Sequence, residues 1–357
     1  MSVGVSPTPL STKETHEPEP AIRRRHRTSA AIASLGSGTH LVLLGTAAGP
    51  VPMAGRTGIA SALVVDGRVY LIDLGHGAFD QIEKAGLKID QLAGIYVTHL
   101  HSDHIADLYS LLWLRFGGVN PFTRPVDIYG PGRAGALPDP YPPGRVVPTV
   151  NPENPTPGFT DFIDSMIAGS AYDINVRMRG EAWPDIREMF TPHDIPLPDV
   201  GAGPRGEMAP AMEPFTVMED DHVRVSAILV QHPPVFPSYA FRFDTRHGSV
   251  VFSGDTTVCQ HTVTLARGAD ILVHEAIDMQ VVEMAGLTPE QLEHHRISHT
   301  DATLVGSIAQ EAGVKTLVLS HLAPGTVLLP DASWFAKAGR GYDGRVIVGH
   351  DLMTIPV

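Results

Sequence analysis

Gly94-Ile95-Tyr96-Val97-Thr98-His99-Leu100-His101-Ser102-Asp103-His104 is an apolar run that breaks into three imidazoles and a carboxylate within six residues. The run Gly94 to Val97 reads as a short buried strand, and Thr98 to His104 as a loop at the strand end. Neutral imidazole nitrogen and carboxylate oxygen are good donors to Zn²⁺. His99 and His101, at alternate positions, can point at one ion. Asp103 and His104 sit a step further along and can reach a second. One such histidine would read as a satisfied loop residue, but four donors at this spacing point to a metal loop.

Strand signals flank the loop on both sides. His40 to Thr46 runs into a Gly-rich turn, and Ala60–Val65 and Arg68–Leu74 enclose Asp66-Gly67, a two-residue hairpin signal. Ala78 to Leu87 and His104 to Phe116 read as helices, and Val126 to Tyr129 as a strand. Between Pro131 and Pro214 the character changes, since sixteen of the 31 prolines fall there. That density argues for an irregular excursion rather than sheet, with helix-like pieces at 160–178 and 185–190. Strands are expected again at 222–231, 239–243 and 249–252. Strand–helix alternation continues through 271–273, 300–312 and 316–319 to the last strands, 346–348 and 352–355. Hairpins come first, then strand–helix alternation, and the order repeats in the second half. Two sheets with helices outside them satisfy this pattern.

The chain has 357 residues, 43% hydrophobic and 18% charged, enough to bury the core of one large domain or two ordinary ones. Its single cysteine excludes an intrachain disulfide, which fits a reducing compartment. No apolar run approaches the ~18–20 residues that span a bilayer, so no membrane partner is expected. Acidic residues outnumber basic ones 39 to 26, for a net charge of −13. That balance lacks the electrostatic footprint of sequence-independent nucleic-acid binding. Residues 1–37 hold Pro7, Pro9, Pro18 and Pro20 and the run Arg23-Arg24-Arg25-His26-Arg27, and read as a disordered tail. The apolar stretch Ala30 to Leu35 is shorter than the roughly 7–15 residues of an export signal, so a cytoplasmic location is expected.

The metal loop resembles the His-x-His-x-Asp-His motif of the metallo-β-lactamase superfamily. The resemblance implies an α/β fold, a four-layer αββα sandwich of two mixed sheets with the site at their edge. It also implies further ligands at strand ends, and His232, Asp255 and His321 each follow a strand-like run. By resemblance, His99, His101 and His232 hold one Zn²⁺, Asp103, His104 and His321 hold the second, and Asp255 bridges. Asp73 matches a family Asp that steadies the loop from behind the ligands. Val273-His274-Glu275-Ala276 and Ser298-His299-Thr300 resemble segments of ribonuclease Z and its arylsulfatase-like relatives. From them, His299 is expected to donate a proton to the leaving group, and His274 to lie behind the ligands. Ser298 or Thr300 could equally cap a helix there. His294 and His295 read as a solvated loop. The resemblance covers roughly residues 40–130 and 215–357.

One departure bears on the substrate. The tRNA-processing members carry a long arm, in the common short form between the third His ligand and the bridging Asp. Here Asp255 lies only 23 positions after His232. The long insertion lies instead between His104 and His232 and holds no lysine from 131 to 214. Its Tyr, Phe, Trp and Met residues suit a lid over the metals, or packing onto the body or into a homodimer interface; both readings stay open. Two Zn²⁺ ions can supply hydroxide from water at neutral pH, with Asp103 orienting the nucleophile. The expectation is therefore a binuclear zinc hydrolase of a small organic ester: phosphodiester, sulfate ester, lactone or carboxyl ester. The small-molecule substrate is favoured, with nucleic acid as an unexpected partner. A ribonuclease Z-like RNA-processing phosphodiesterase and a non-hydrolytic or redox metal protein are the alternatives.

Overall fold

Thr39–Gly45 (β1) is buried almost throughout, and its side chains divide by parity: Leu41 and Leu43 join one core, Val42 and Leu44 another. A strand that is apolar on both faces belongs to a sheet covered on both sides. The computed structural model describes Met1 and residues 37–118, 121–324 and 329–357. The expected N-terminal tail, with its arginine run, lies outside the described residues apart from Met1 and Ser37.

Strands β2 (Ala60–Val65), β3 (Arg68–Ile72), β4 (Leu92–Tyr96), β5 (Val126–Pro131) and β6 (Phe190–Ile195) come next in the first half. The second half holds β7 (Phe215–Glu219), β8 (Val223–Leu229), β9 (Tyr239–Thr245), β10 (Gly248–Phe252), β11 (Ile271–Ile277), β12 (Thr316–Ala323), β13 (Arg345–Val348) and β14 (Met353–Pro356). The helices are α1 (Ala78–Lys84), α2 (Ser102–Ile105), α3 (Leu108–Arg115), α4 (Phe159–Gly169) and α5 (Ala171–Gly180), then α6 (Gln260–Ala266), α7 (Met279–Glu283), α8 (Pro289–Ser298), α9 (Ala302–Ala312) and α10 (Asp331–Ala338).

Two seven-stranded sheets result, in the orders β14-β1-β2-β3-β4-β5-β6 and β13-β12-β11-β10-β9-β8-β7. Each is antiparallel in its hairpin half and parallel where helices cross over. The β2–β3 turn has positive φ at both Asp66 (48°) and Gly67 (84°), the twist a two-residue hairpin needs. Between the sheets Leu41, Leu63 and Tyr96 meet Leu229, Phe241 and Phe243. The ring of Tyr96 meets that of Phe243 edge-on at 5.1 Å. Helices α1, α3 and α4 cover one outer face; α6, α9 and α10 cover the other. The architecture is the expected αββα sandwich.

The Pro-rich segment departs from its reading. It contains β6, which pairs parallel with β5 and places Pro192 opposite Ile128. An edge strand tolerates proline because one side of its backbone needs no ladder partner. The single helix expected over 160–178 is two, α4 and α5, meeting at Ser170. Phe159 and Ile163 of α4 are buried against the first sheet, and Trp183 packs edge-on to Phe116 at 4.8 Å. The chain between β11 and β12, unassigned from sequence before residue 300, forms α7 and α8.

Candidate metal centre

β4 ends at Tyr96, and the next residues tie the two sheets together. Val97 N–H donates to Tyr129 O (2.8 Å), and Tyr239 N–H donates to Thr98 O (3.0 Å). The loop bearing His99, His101, Asp103 and His104 therefore starts at the seam of the sandwich. Asp73, buried at the end of β3 with φ 54°, holds both ends of that loop. It accepts from Thr98 N–H (2.8 Å), Thr98 Oγ1–H (2.9 Å) and His104 Nδ1–H (2.9 Å).

These bonds fix the imidazoles. The Thr98 hydroxyl proton is directed to Asp73, so His99 Nδ1–H donates to Thr98 Oγ1 (3.1 Å). His232 Nδ1–H donates to Ser298 O (2.9 Å). His99, His104 and His232 thus all turn Nε2 toward one place, the ring orientation that a metal requires. Asp255 Oδ2 lies among them: 3.9 Å from His99 Nε2, 3.3 Å from His104, 3.9 Å from His232 and 3.2 Å from His321. His101 contributes Nδ1, 3.2 Å from His232 Nε2. Asp103 Oδ2 lies 3.5 Å from His321 Nε2 and 3.6 Å from His104 Nε2.

A third donor set, Glu275/His299/His321, lies beside two others, His99/His101/His232/Asp255 and Asp103/His104/Asp255/His321, each with its atoms within 4.8 Å. The two larger sets could each hold a cation, and they share Asp255. The fit is chemical as well as spatial. Nε2 of His99 and of His104 and Oδ1 of Asp255 are buried without any hydrogen-bond partner, a costly arrangement unless a cation satisfies them. Burial pushes His99 well below the usual histidine range and His232 down to about 3, so both stay neutral. Asp103 is held well below the usual carboxylate range: burial opposes this, but His321 and His104 outweigh it.

Backbone irregularities aim the remaining side chains. β11 and β12 slip register between Glu275 and Ala276, and His321 occupies the extra position with φ 46°. A bulge of this kind redirects a side chain at the rim of a sheet. Gly254, with φ 59°, delivers Asp255, and a Cβ there would lie 2.6 Å from Tyr239 O.

The other expected residues gather here too. The ring of His299 lies 5.1 Å from that of His232 and 5.8 Å from that of His321. Its Nδ1–H donates to Glu275 Oε2 (2.9 Å), and Thr256 N–H holds the other oxygen (2.6 Å). Burial would lower His299, but the Glu275 carboxylate overrides it and raises it to about 9. Sequence reasoning missed Glu275, although it directly follows His274. His274 Nδ1–H donates to Glu275 O (2.7 Å), while its Nε2 is buried without a partner. It lines a small cavity of about 30 Å³ with Asp73, Thr98, His104 and Asp255. Neither Ser298 nor Thr300 caps the next helix: Asp301 does, accepting from Thr303 N–H (2.9 Å). His294 and His295 are not in a solvated loop. They lie on α8, in the wall of a cavity of about 370 Å³ that opens over His101, Asp103, Asp255 and His321.

Over 317 residues the chain is 30% identical to the ribonuclease Z of Mycobacterium avium (strain 104), covering 89% of this chain and 98% of that protein. The chain belongs to the ribonuclease Z family. Residues 40–117 also match the family described as "Anti-Pycsar protein Apyc1". The fold is similar to that of human tRNase Z, short form, at TM-score 0.58 and 22% identity, covering 89% of this chain and 99% of that one. It is similar also to the metallo-β-lactamase fold protein YhfI of Bacillus subtilis, at TM-score 0.57 and 16% identity, covering 89% and 100%. As a ribonuclease Z family member of the metallo-β-lactamase superfamily, this chain is a metal-dependent hydrolase acting on ester bonds.

Family membership corrects the expected partner. The sequence favoured a small molecule over nucleic acid, whereas the curated relatives are named as ribonucleases. Net charge misled because it is a whole-chain sum. Four of the 39 acidic residues, Asp73, Asp103, Asp255 and Glu275, lie at the candidate metal centre, and discounting them still leaves 35 against 26 basic ones, so the sum reports nothing about how charge is distributed around one site. Among the described residues, no helix is long and apolar enough to cross a membrane.

Proposed function

We propose that this chain is an RNA phosphodiesterase of the ribonuclease Z type, working with two Zn²⁺ ions in the cytoplasm. The observation that carries this reading is the 30% identity to a ribonuclease Z along 98% of that protein; Asp255 Oδ2 within 3.9 Å of four imidazole nitrogens, with the His299–Glu275 pair beside them, supports the hydrolytic chemistry. His99, His101 and His232 would hold one ion, Asp103, His104 and His321 the other, and Asp255 both. Bound ions supply Lewis acidity: they offset charge on the phosphate and bring the pKa of water to near ~7.

The chain's own groups do the rest. Asp103 Oδ2, anchored by Gly49 N–H (3.1 Å), is the most open carboxylate of the two sets and orients the attacking water. His299, kept protonated by Glu275, gives its proton to the departing oxygen. In the same reading the insertion walls the groove. Pro131, Pro138 and Pro155 share an apolar cavity of about 210 Å³ with Leu100 of the metal loop.

The test is cleavage of a precursor tRNA carrying a 3′ extension by the zinc-loaded protein. A discrete cut, abolished by chelation and by Asp255→Ala, is expected. Hydrolysis of small esters with no cleavage of RNA would overturn the reading.

A further inference from the structure

Helix α8 faces the metal-centre cleft, yet the scheme above uses none of its side chains. His294 lies in the wall of that cleft, its ring centroid 6.2 Å from that of His299. His232, His299 and His294 form a succession of edge-to-face rings running from the metal centre outward.

Hydrogen bonding fixes the tautomer of His294. The Ser298 hydroxyl donates its only proton to Pro233 O. Its oxygen can therefore only accept from His294, whose Nδ1–H donates to it at 3.2 Å. Burial and the neighbouring His299 charge both favour the neutral ring. That leaves Nε2 as a bare acceptor, and among the described residues it has no partner. Phosphate oxygens cannot satisfy it, because they are acceptors too. A hydroxyl can. In an RNA backbone the available hydroxyl is the ribose 2′-OH, vicinal to the 3′ oxygen. If His299 protonates a leaving 3′ oxygen, the next group along the cleft wall is His294.

We propose that His294 is a specificity residue that accepts a hydrogen bond from the 2′-hydroxyl of the nucleotide whose 3′ oxygen leaves. The site then prefers ribose to deoxyribose at that one position. This rests on the RNA phosphodiesterase reading above and names the sugar recognition within it.

The experiment uses zinc-loaded protein and paired synthetic precursor tRNAs with a 3′ extension, all-RNA or with a single 2′-deoxynucleotide at the scissile position. The wild type should favour the ribose substrate in kcat/KM by about tenfold, the scale of one hydrogen bond. His294→Phe keeps a flat ring and removes the acceptor, so it should cleave both substrates at the wild-type deoxy rate. His294→Gln restores an acceptor oxygen and should recover part of the preference. Zinc content should be unchanged in both variants. A ribose preference that survives in His294→Phe overturns the proposal. So does equal loss on both substrates, or a preference that follows cytosine against uracil at the scissile base, which would assign the acceptor to a base amino group. Wild-type cleavage of both substrates at equal rates overturns this proposal alone. No cleavage of either overturns the RNA reading and this proposal with it.

Discussion

Glu275 and His299 lie 24 residues apart in sequence and are joined by a 2.9 Å hydrogen bond, the carboxylate fully buried and the imidazole at the cleft. The pairing gives His299 a fixed tautomer and a reason to stay protonated. A proton donor matters most when the departing oxygen is basic. His299→Ala should therefore slow cleavage of an RNA or alkyl phosphodiester by roughly 10²–10⁴-fold. A nitrophenyl phosphodiester, which leaves as a stabilised anion, should lose much less. The ratio of the two losses is the readout, with zinc content as the control. Equal losses would assign His299 to positioning rather than acid catalysis.

The same pair sets a pH dependence. The pKa of His299 is raised from 6.5 to about 9 by Glu275, so the donor form prevails below about 9. The rate on a basic leaving group should fall as pH rises through that value. Glu275→Gln removes the charge responsible, and the fall should move toward the ordinary histidine range. In the metal-free protein the sign for stability comes from the same shift. A folded pKa above the unfolded one stabilises fully below about 6.5, and that contribution disappears as pH rises through about 9. Thermal unfolding of metal-free wild type should show this decline, and Glu275→Gln should flatten it.

Two donor sets sharing Asp255 imply about two zinc ions per chain by elemental analysis. Asp255→Ala should reduce the content of both sets, since its oxygen lies within reach of each. Asp103→Ala removes the carboxylate proposed to orient water and should abolish turnover while far-ultraviolet circular dichroism stays native. A fully active protein holding one ion would contradict the shared role of Asp255.

Legibility in the sequence tracks distance along the chain. His99, His101, Asp103 and His104 are adjacent, so one strand end exposes the whole loop to reading. A continuous apolar run made β1 readable, and Asp66-Gly67 the hairpin, for the same local reason. The role of Glu275 was hidden because it depends on His299, brought close only by the β11–β12 register and α8. The bulge at His321 has no composition signal. Pro192 argued against β6, and only its edge position removes the objection. Helix α8 is mostly polar, with two histidines and an arginine that gave no apolar stripe. The same histidines were read as solvated because nothing local shows that α8 turns one side to the cleft. The charge sum misjudged the partner because a whole-chain count says nothing of how charge is distributed around one site.

Asp73 offers a test of how the loop is held without touching the ligand set's inward side. Its carboxylate accepts three hydrogen bonds, two from Thr98 and one from His104. Asp73→Asn keeps the shape but replaces one acceptor oxygen with an NH₂ group. Every partner there is already a donor, so the amide must face one of them. The better of its two orientations still leaves one N–H opposed to another. Losing the charge also weakens the hold on His104 Nδ1–H and makes Nε2 a poorer donor to a metal. Zinc affinity should fall by roughly 10–100-fold, the scale of such supporting carboxylates. The loss should fall on the ion held by His104, leaving the His99 set nearly unchanged. Competitive chelation, followed as two separate release steps, measures this directly. A uniform weakening of both steps would mean that Asp73 supports the loop as a whole through Thr98, and not His104 in particular.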